Sequence, residues 1–286
     1  MRETLMRSAT KRLAVILIIA AVVFCISPIM NLYANKIQVV ENSPYQGMTI
    51  SILGDSISTF EGFIPTEDGV NLEHRAKYPY TGLVKNVNKT WWMQLVLQLD
   101  ANLGVNDSWA GSTVSNFLDG NEGDLGEDAA MASLTRIQNL GSNGIPDVIL
   151  FYGGTNDIGL KVPLGIFNVE NAPTEVDLAA TKWYTYVEAY TTAIMRLQYY
   201  YPDAKIVALL PAATTRYYTD VQLHFYNEAM MAICNHYGVQ CIDLRESGLT
   251  TEHMPDGIHP NDIGMDYITQ VVQDVLLESY ELAVND

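Results

Sequence analysis

Pro146-Asp147-Val148-Ile149-Leu150-Phe151-Tyr152-Gly153 decides the fold. Val148 to Tyr152 is an unbroken apolar run closed by Pro on one side and Gly on the other. A strand with one wet face alternates apolar and polar residues. A short continuous run reads as a strand buried on both faces, as in a parallel sheet covered by helices on each side.

Working outward, four more runs fit the same reading. Met48 to Gly54 (MTISILG) precedes it, with a weaker strand at Asn102 to Val105. Lys205 to Leu210 (KIVALL), stopped by Pro211, and Val239 to Leu244 (VQCIDL) follow it. Helical patterns separate the strands. They are expected over Thr90 to Leu99, over Ala129 to Leu140 behind the acids Glu127-Asp128, over Thr181 to Tyr200 and over Val221 to His236. A last helix sets Ile263, Tyr267, Ile268, Val271, Val272, Val275 and Leu276 on one broad face. Strands alternating with helices predict one α/β domain with a five-stranded parallel sheet. Two connections, Ile57 to Asn88 and Ile158 to Ala180, are too long for plain turns, and each follows the carboxyl end of a strand. That edge carries the ligand cleft in open α/β sheets.

Four short blocks fall on the same edge. Gly54-Asp55-Ser56 leaves the first strand tightly enough to expose a serine, though it is not a G-x-S-x-G elbow, because Ser58 stands in the final glycine position. Asn106-Asp107-Ser108-Trp109-Ala110-Gly111-Ser112 is expected after the second strand. Phe151-Tyr152-Gly153-Gly154-Thr155-Asn156-Asp157 ends the central one, with two glycines for close backbone approach and an amide that can face a developing oxyanion. Asp256-Gly257-Ile258-His259-Pro260 precedes the last helix. A serine hydroxyl needs a base to become a nucleophile, and imidazole titrates near neutrality. An Asp three residues earlier can fold back through the glycine turn onto the other ring nitrogen.

In order, the blocks offer Ser, Gly, Asn and His, with Asp beside the His. This resembles the SGNH hydrolases, also called the GDSL esterase/lipase family, over about residues 47–280. The resemblance implies a three-layer α/β/α sandwich of flavodoxin-like order. It implies Ser56 as nucleophile, His259 as general base and acid, and Asp256 as its orienting partner. The oxyanion hole would be the Ser56 N–H, the Gly111 N–H and the Asn156 side chain. No metal and no cofactor are implied. Trp109, Tyr78 and Tyr80 are candidates to stack on a sugar ring, and His253 to rim the cleft. Asp55 and Asp157 are expected to hold the block turns by hydrogen bonds. His74, His224 and His236 show no metal-ligand spacing.

The N-terminal head differs from the body. Arg2, Arg7, Lys11 and Arg12 precede Leu13 to Ile26, an unbroken apolar run of 14 residues. A basic flank before an apolar core is the layout of an export signal, and the run also approaches the length of a membrane anchor. Residues 1–34 are therefore expected to be a cleaved signal or a retained anchor, with 35–286 as the hydrolase domain outside the cell, secreted or tethered by residues 13–34. Cys25 follows Phe24, not the small residue of a lipoprotein site. Export permits a disulfide between Cys234 and Cys241, and two free thiols fit the sequence as well.

The whole chain of 286 residues carries a formal charge of -17, and without the four basic residues and one acid of the head the body carries -20. Such a surface repels phosphate backbones, which excludes nucleic acid as a partner. Contact with membrane is expected only through the N-terminal segment. The leading expectation is an exported serine esterase removing a small acyl group, acetyl foremost, from a carbohydrate or another small ester. A lipase or lysophospholipase, a glycan O-acyltransferase and a non-catalytic glycan-binding protein are the alternatives.

Overall fold

The computed structural model describes residues 38–65, 76–116 and 129–285. The basic, apolar head with Cys25 therefore lies outside the described residues, as do His74 and Glu127-Asp128. The five strands are β1 (Thr49–Gly54), β2 (Asn102–Ser108), β3 (Val148–Tyr152), β4 (Lys205–Leu210) and β5 (Gln240–Asp243). They form one sheet in the order β2-β1-β3-β4-β5, and every neighbouring pair is parallel.

Strict alternation along the strands divides the core into two layers. Ile149 and Phe151 of β3 face one side, with Ile206, Ala208 and Leu210 of β4. Val148, Leu150 and Tyr152 face the other, with Ile50 and Ile52 of β1 and Val207 and Leu209 of β4. Both faces are covered, so no polar residue is needed at either, and the strands read as continuous apolar runs. The second layer is closed by α1 (Trp91–Gln98), with Trp91 and Trp92 fully buried, and by the C-terminal helix. The first layer is closed by α2 (Leu134–Asn139), α4 (Tyr186–Tyr200) and α5 (Asp220–His236). The short α3 (Thr155–Gly159) follows β3, and the C-terminal helix, α6, runs over Asp262–Asn285.

Local chemistry sets the helix starts. Thr185 with Glu188 and Thr219 with Gln222 form capping boxes at α4 and α5, each satisfying two otherwise orphaned backbone N–H groups. Two expectations are corrected here. The helix expected from Ala129 begins only at Leu134, because the Ser133 side chain accepts from Arg136 N and caps it there. The preceding segment is instead bonded to the chain just after the second block, through Met131 N to Thr113 O (3.0 Å) and Ala132 N to Val114 O (3.2 Å). Likewise α4 starts at Tyr186, not Thr181. The buried stripe of α6 is Met265, Ile268, Val272 and Leu276, at the spacing of one helix face, while Ile263 and Tyr267 point to solvent. Cys234 and Cys241 are both free thiols, Cys234 fully buried. Among the described residues no helix is long and apolar enough to cross a membrane.

The strand order fixes the position of the cleft. After β1 the chain moves outward to β2, then crosses back to β3 on the other side. The loops leaving β1 and β3 therefore diverge, and a crevice opens at their carboxyl ends. Ser56 leaves β1 and Asn156 leaves β3 at that point.

Candidate active site

The β1 exit is shaped for a tight turn. A Cβ at Gly54 would lie 2.8 Å from the hydroxyls of both Ser108 and Ser58, so only glycine fits. Asp55 Oδ1 accepts from Ile57 N (2.9 Å), which caps a 3₁₀ turn over Ser56–Ser58 and holds Ser56 above the sheet edge. Asp55 is wholly buried, and burial pushes its carboxyl up to about 6 against the Ile57 N–H.

The Asp256–His259 turn meets that serine across 203 residues of sequence. Gly257 has a φ of +85°, a left-handed conformation, and a side chain there would run into Thr215. The turn lets one carboxylate serve three donors. Asp256 Oδ1 accepts from Ile258 N (3.0 Å) and His259 N (2.7 Å), and Oδ2 accepts from His259 Nδ1 at 2.7 Å. With the Nδ1 proton held by the carboxylate, Nε2 is left as an acceptor, and Ser56 Oγ lies 2.9 Å from it. Burial raises the Asp256 carboxyl, but the His259 and Ile258 N–H groups and the imidazole outweigh it and leave the group below its ordinary value. Burial depresses the His259 imidazole; Asp256 pulls it back up, and Lys77 and Arg216 push it further down.

The third and second blocks are tied together. Gly154, at φ +113°, turns the chain from β3 into α3, whose first turn carries Asn156. Asn156 Nδ2 donates to Ser112 O (2.8 Å). Asp157 is fully buried, and its two oxygens accept from Val114 N (2.8 Å) and Ser115 N (3.1 Å). Burial pushes its carboxyl up to about 7, against those two donors. Asp55 and Asp157 thus hold their turns through hydrogen bonds. Gly111 is exposed with a φ of +80°, in a turn closed by Ser112 N to Trp109 O (3.2 Å). The turn lies against the β1 exit, with Trp109 N bonded to Gly54 O (3.1 Å).

Part of the second block lies within the strand. β2 continues through Ser108, because Asn106, Asp107 and Ser108 pair with Ile52, Leu53 and Gly54 of β1 after a register shift. Their polar side chains are buried yet partnered: Asn106 Nδ2 donates to Ser58 O (2.9 Å), and Ser108 Oγ to Asn106 Oδ1 (2.6 Å).

Three of the proposed substrate contacts sit elsewhere than expected. Tyr78 is completely buried, its hydroxyl donates to Pro260 O (2.9 Å), and its ring stands edge-on to His259, so it backs the imidazole. Trp109 is buried beneath the Arg136 guanidinium, 4.8 Å from the ring centre. Neither offers a free face to a sugar. His253 packs on the Tyr267 ring at 4.6 Å, and its Nδ1 accepts from Thr250 N, which makes it part of a surface turn. Tyr80 alone of the three aromatics is open, at 52% exposure.

Three residues at the site escaped the sequence reading. Lys77 Nζ lies 3.9 Å from Asp256 Oδ2, and its backbone N–H donates to Thr59 Oγ1, which in turn donates to Ser56 O. Arg136, wholly buried, pairs with Asp107 and also holds Gly54 O. Tyr217 Oη donates to Asn156 Oδ1 at 3.3 Å. Each contact spans at least 18 residues of sequence, and no local pattern marks it. The described residues include no group of His, Cys, Asp and Glu side chains that could hold a metal ion.

Residues 48–276 match the model of the GDSL-like lipase/acylhydrolase family. The chain belongs to that family. A solved Bacteroides ovatus protein described as a GDSL-like lipase is 30% identical, with a TM-score of 0.61, covering 81% of this chain and 98% of its own. A second, from Bacteroides uniformis, is 28% identical with a TM-score of 0.57, covering 80% of this chain and 95% of its own. Est24, described as a carbohydrate acetylesterase from Sinorhizobium meliloti, is 14% identical with a TM-score of 0.53, covers 80% of this chain and 98% of its own, and shares the fold alone. No curated protein matches. This GDSL-like protein is a serine ester hydrolase with the α/β fold of its family.

Proposed function

We propose that the hydrolase removes a small acyl group, acetyl foremost, from a carbohydrate ester through a Ser56-His259-Asp256 triad. The observation that carries this is the continuous chain from Ser56 Oγ to His259 Nε2 (2.9 Å) and from His259 Nδ1 to Asp256 Oδ2 (2.7 Å). Ser56 Oγ attacks the ester carbonyl as its proton passes to His259 Nε2. The negative charge that develops on the carbonyl oxygen is met by the Ser56 and Gly111 N–H groups and by Asn156 Nδ2. Collapse expels the alcohol, protonated by His259, and leaves an acyl-serine. Water then gives its proton to His259, attacks the acyl carbon, and the carboxylic acid leaves as Ser56 Oγ recovers the proton. Asp256 stabilises the imidazolium at each step.

A small recess supports a short acyl group. It is partly open to solvent and is lined by Ile57, Leu249, Met254 and Ile258 among others. Ile57 directly follows Ser56 and Ile258 directly precedes His259 in sequence, so the recess borders the two proposed catalytic turns. The sugar rests on slighter support, the solvent exposure of Tyr80 and the fold shared with a carbohydrate acetylesterase. The basic flank and apolar run of residues 1–34 support an extracellular location.

Ser56→Ala and His259→Ala are expected to abolish p-nitrophenyl acetate hydrolysis with the fold retained. Normal turnover in Ser56→Ala would overturn the mechanism. Turnover across acetylated sugars and esters of graded chain length tests the substrate, and a rise toward long acyl chains would replace it with a lipase.

A further inference from the structure

Asn156 is held from both ends of its amide. Nδ2 donates one proton to Ser112 O, and Oδ1 accepts from Tyr217 Oη, which arrives from the loop after β4, 61 residues away. The second Nδ2 proton is left for a substrate oxygen. The ring of Tyr217 lies against Gly159 at the end of α3, where a Cβ would overlap it, so the absence of a side chain makes its seat. The loop itself is anchored: Thr215 N donates to Gly257 O (3.1 Å) and Tyr218 Oη to Ala212 O (2.7 Å). Burial, with the charges of Asp55 and Asp157, raises the Tyr217 hydroxyl above the ordinary phenol value, so it stays protonated and can only donate to a carbonyl oxygen.

An amide that rotates by half a turn would present Oδ1 where Nδ2 should face the developing oxyanion, and acceptor would meet acceptor. A donor on Oδ1 opposes that rotation and also polarises the amide, strengthening the N–H on the other side. We infer that Tyr217 is a positioning residue that fixes the Asn156 amide for oxyanion stabilisation. This rests on the reading of Asn156 as an oxyanion donor.

Tyr217→Phe removes only the hydroxyl. Its kcat on p-nitrophenyl acetate is expected to fall about fivefold, the size of one neutral hydrogen bond, with KM, Tm and the pH profile unchanged. Gly159→Ala, which unseats the ring, gives a loss of at least that size. Asn156→Ala is expected to lose on the order of 10²–10³ in kcat, and adding Tyr217→Phe to it costs nothing more, because the group being positioned is gone. A Tyr217→Phe enzyme with wild-type kcat overturns the inference, and so does the same fivefold loss in the Asn156→Ala background, since a merely structural tyrosine would add. If Asn156→Ala keeps wild-type turnover, the oxyanion role of Asn156 itself falls, and this inference with it.

Discussion

Arg136 Nη2 donates to the carbonyl oxygen of Gly54 at 2.9 Å, two residues before Ser56. The same guanidinium donates through Nε to Asp107 Oδ1 (2.8 Å), through Nη2 to Asp107 O (2.7 Å) and through Nη1 to Ala129 O (2.9 Å), with no exposure to solvent. One buried cation thus joins the ends of β1 and β2 beneath the cleft. Arg136→Met is expected to destabilise the fold by about 3–5 kcal/mol, because Asp107 is left charged and buried without its partner. Arg136→Met/Asp107→Leu should recover part of that loss, read from denaturant midpoints. A single variant as stable as wild type would show that the pair contributes nothing.

In the proposed mechanism the His259 imidazole must be neutral to take the Ser56 proton. Its pKa is held below 6.5, first by burial. The acid limb of kcat/KM is therefore expected below that value, with activity lost only as pH falls through the depressed pKa. Lys77→Gln or Arg216→Gln removes one of the charges that push the imidazole down, so either should move the limb to higher pH. A limb that stays put in both variants would mean that these cations do not reach His259.

Two buried carboxyls link stability to pH in the opposite sense from an ordinary salt bridge. Asp55 titrates at about 6 and Asp157 at about 7 in the fold, above the ordinary value of 3.8. Between these limits the folded state holds more protons than the unfolded one. Stability should therefore be greatest at the acid end of that window and decline as pH rises toward 7. Asp256, whose carboxyl is lowered, acts only below the window, and the depressed His259 imidazole opposes part of the decline below 6.5 as one group against two. Urea midpoints measured at pH 4.5 and 7.5 should show the decline, and Asp157→Asn should shrink it. A midpoint that rises with pH would contradict the assignment.

The strands were legible because parallel strands covered on both faces need no polar residues, as Val148 to Tyr152 show. Ser56, Asn156, Asp256 and His259 were legible because each stands within a few residues of a glycine turn with its own local signature. Lys77, Arg136 and Tyr217 were not. Their partners come from other elements, and a lysine, a helical arginine or one tyrosine among 17 carries no mark of that. Exposure is equally invisible along the chain: Tyr78 and Tyr80 are two residues apart, one sealed behind His259 and the other half open. The start of α2 was misplaced because the acidic pair Glu127-Asp128 suggested a helix dipole partner, whereas the side-chain cap is Ser133.

The proposed short-acyl preference can be altered at Met254. Its side chain is 4% exposed and lines the recess beside Ile57 and Ile258. Each methylene that a pocket accepts or refuses changes selectivity by about 10-fold or more. Met254→Ala removes three heavy atoms from the wall. It is expected to raise kcat/KM for p-nitrophenyl butyrate relative to acetate by at least about tenfold, while acetate turnover changes little. The variant should also lose about 2–5 kcal/mol of stability, since the site is buried, so the comparison is made well below its melting temperature. The ratio, not the absolute rate, is the test: partial unfolding lowers both substrates together, and only a larger recess separates them. An unchanged ratio in a folded Met254→Ala enzyme would mean that the acyl group binds elsewhere in the cleft.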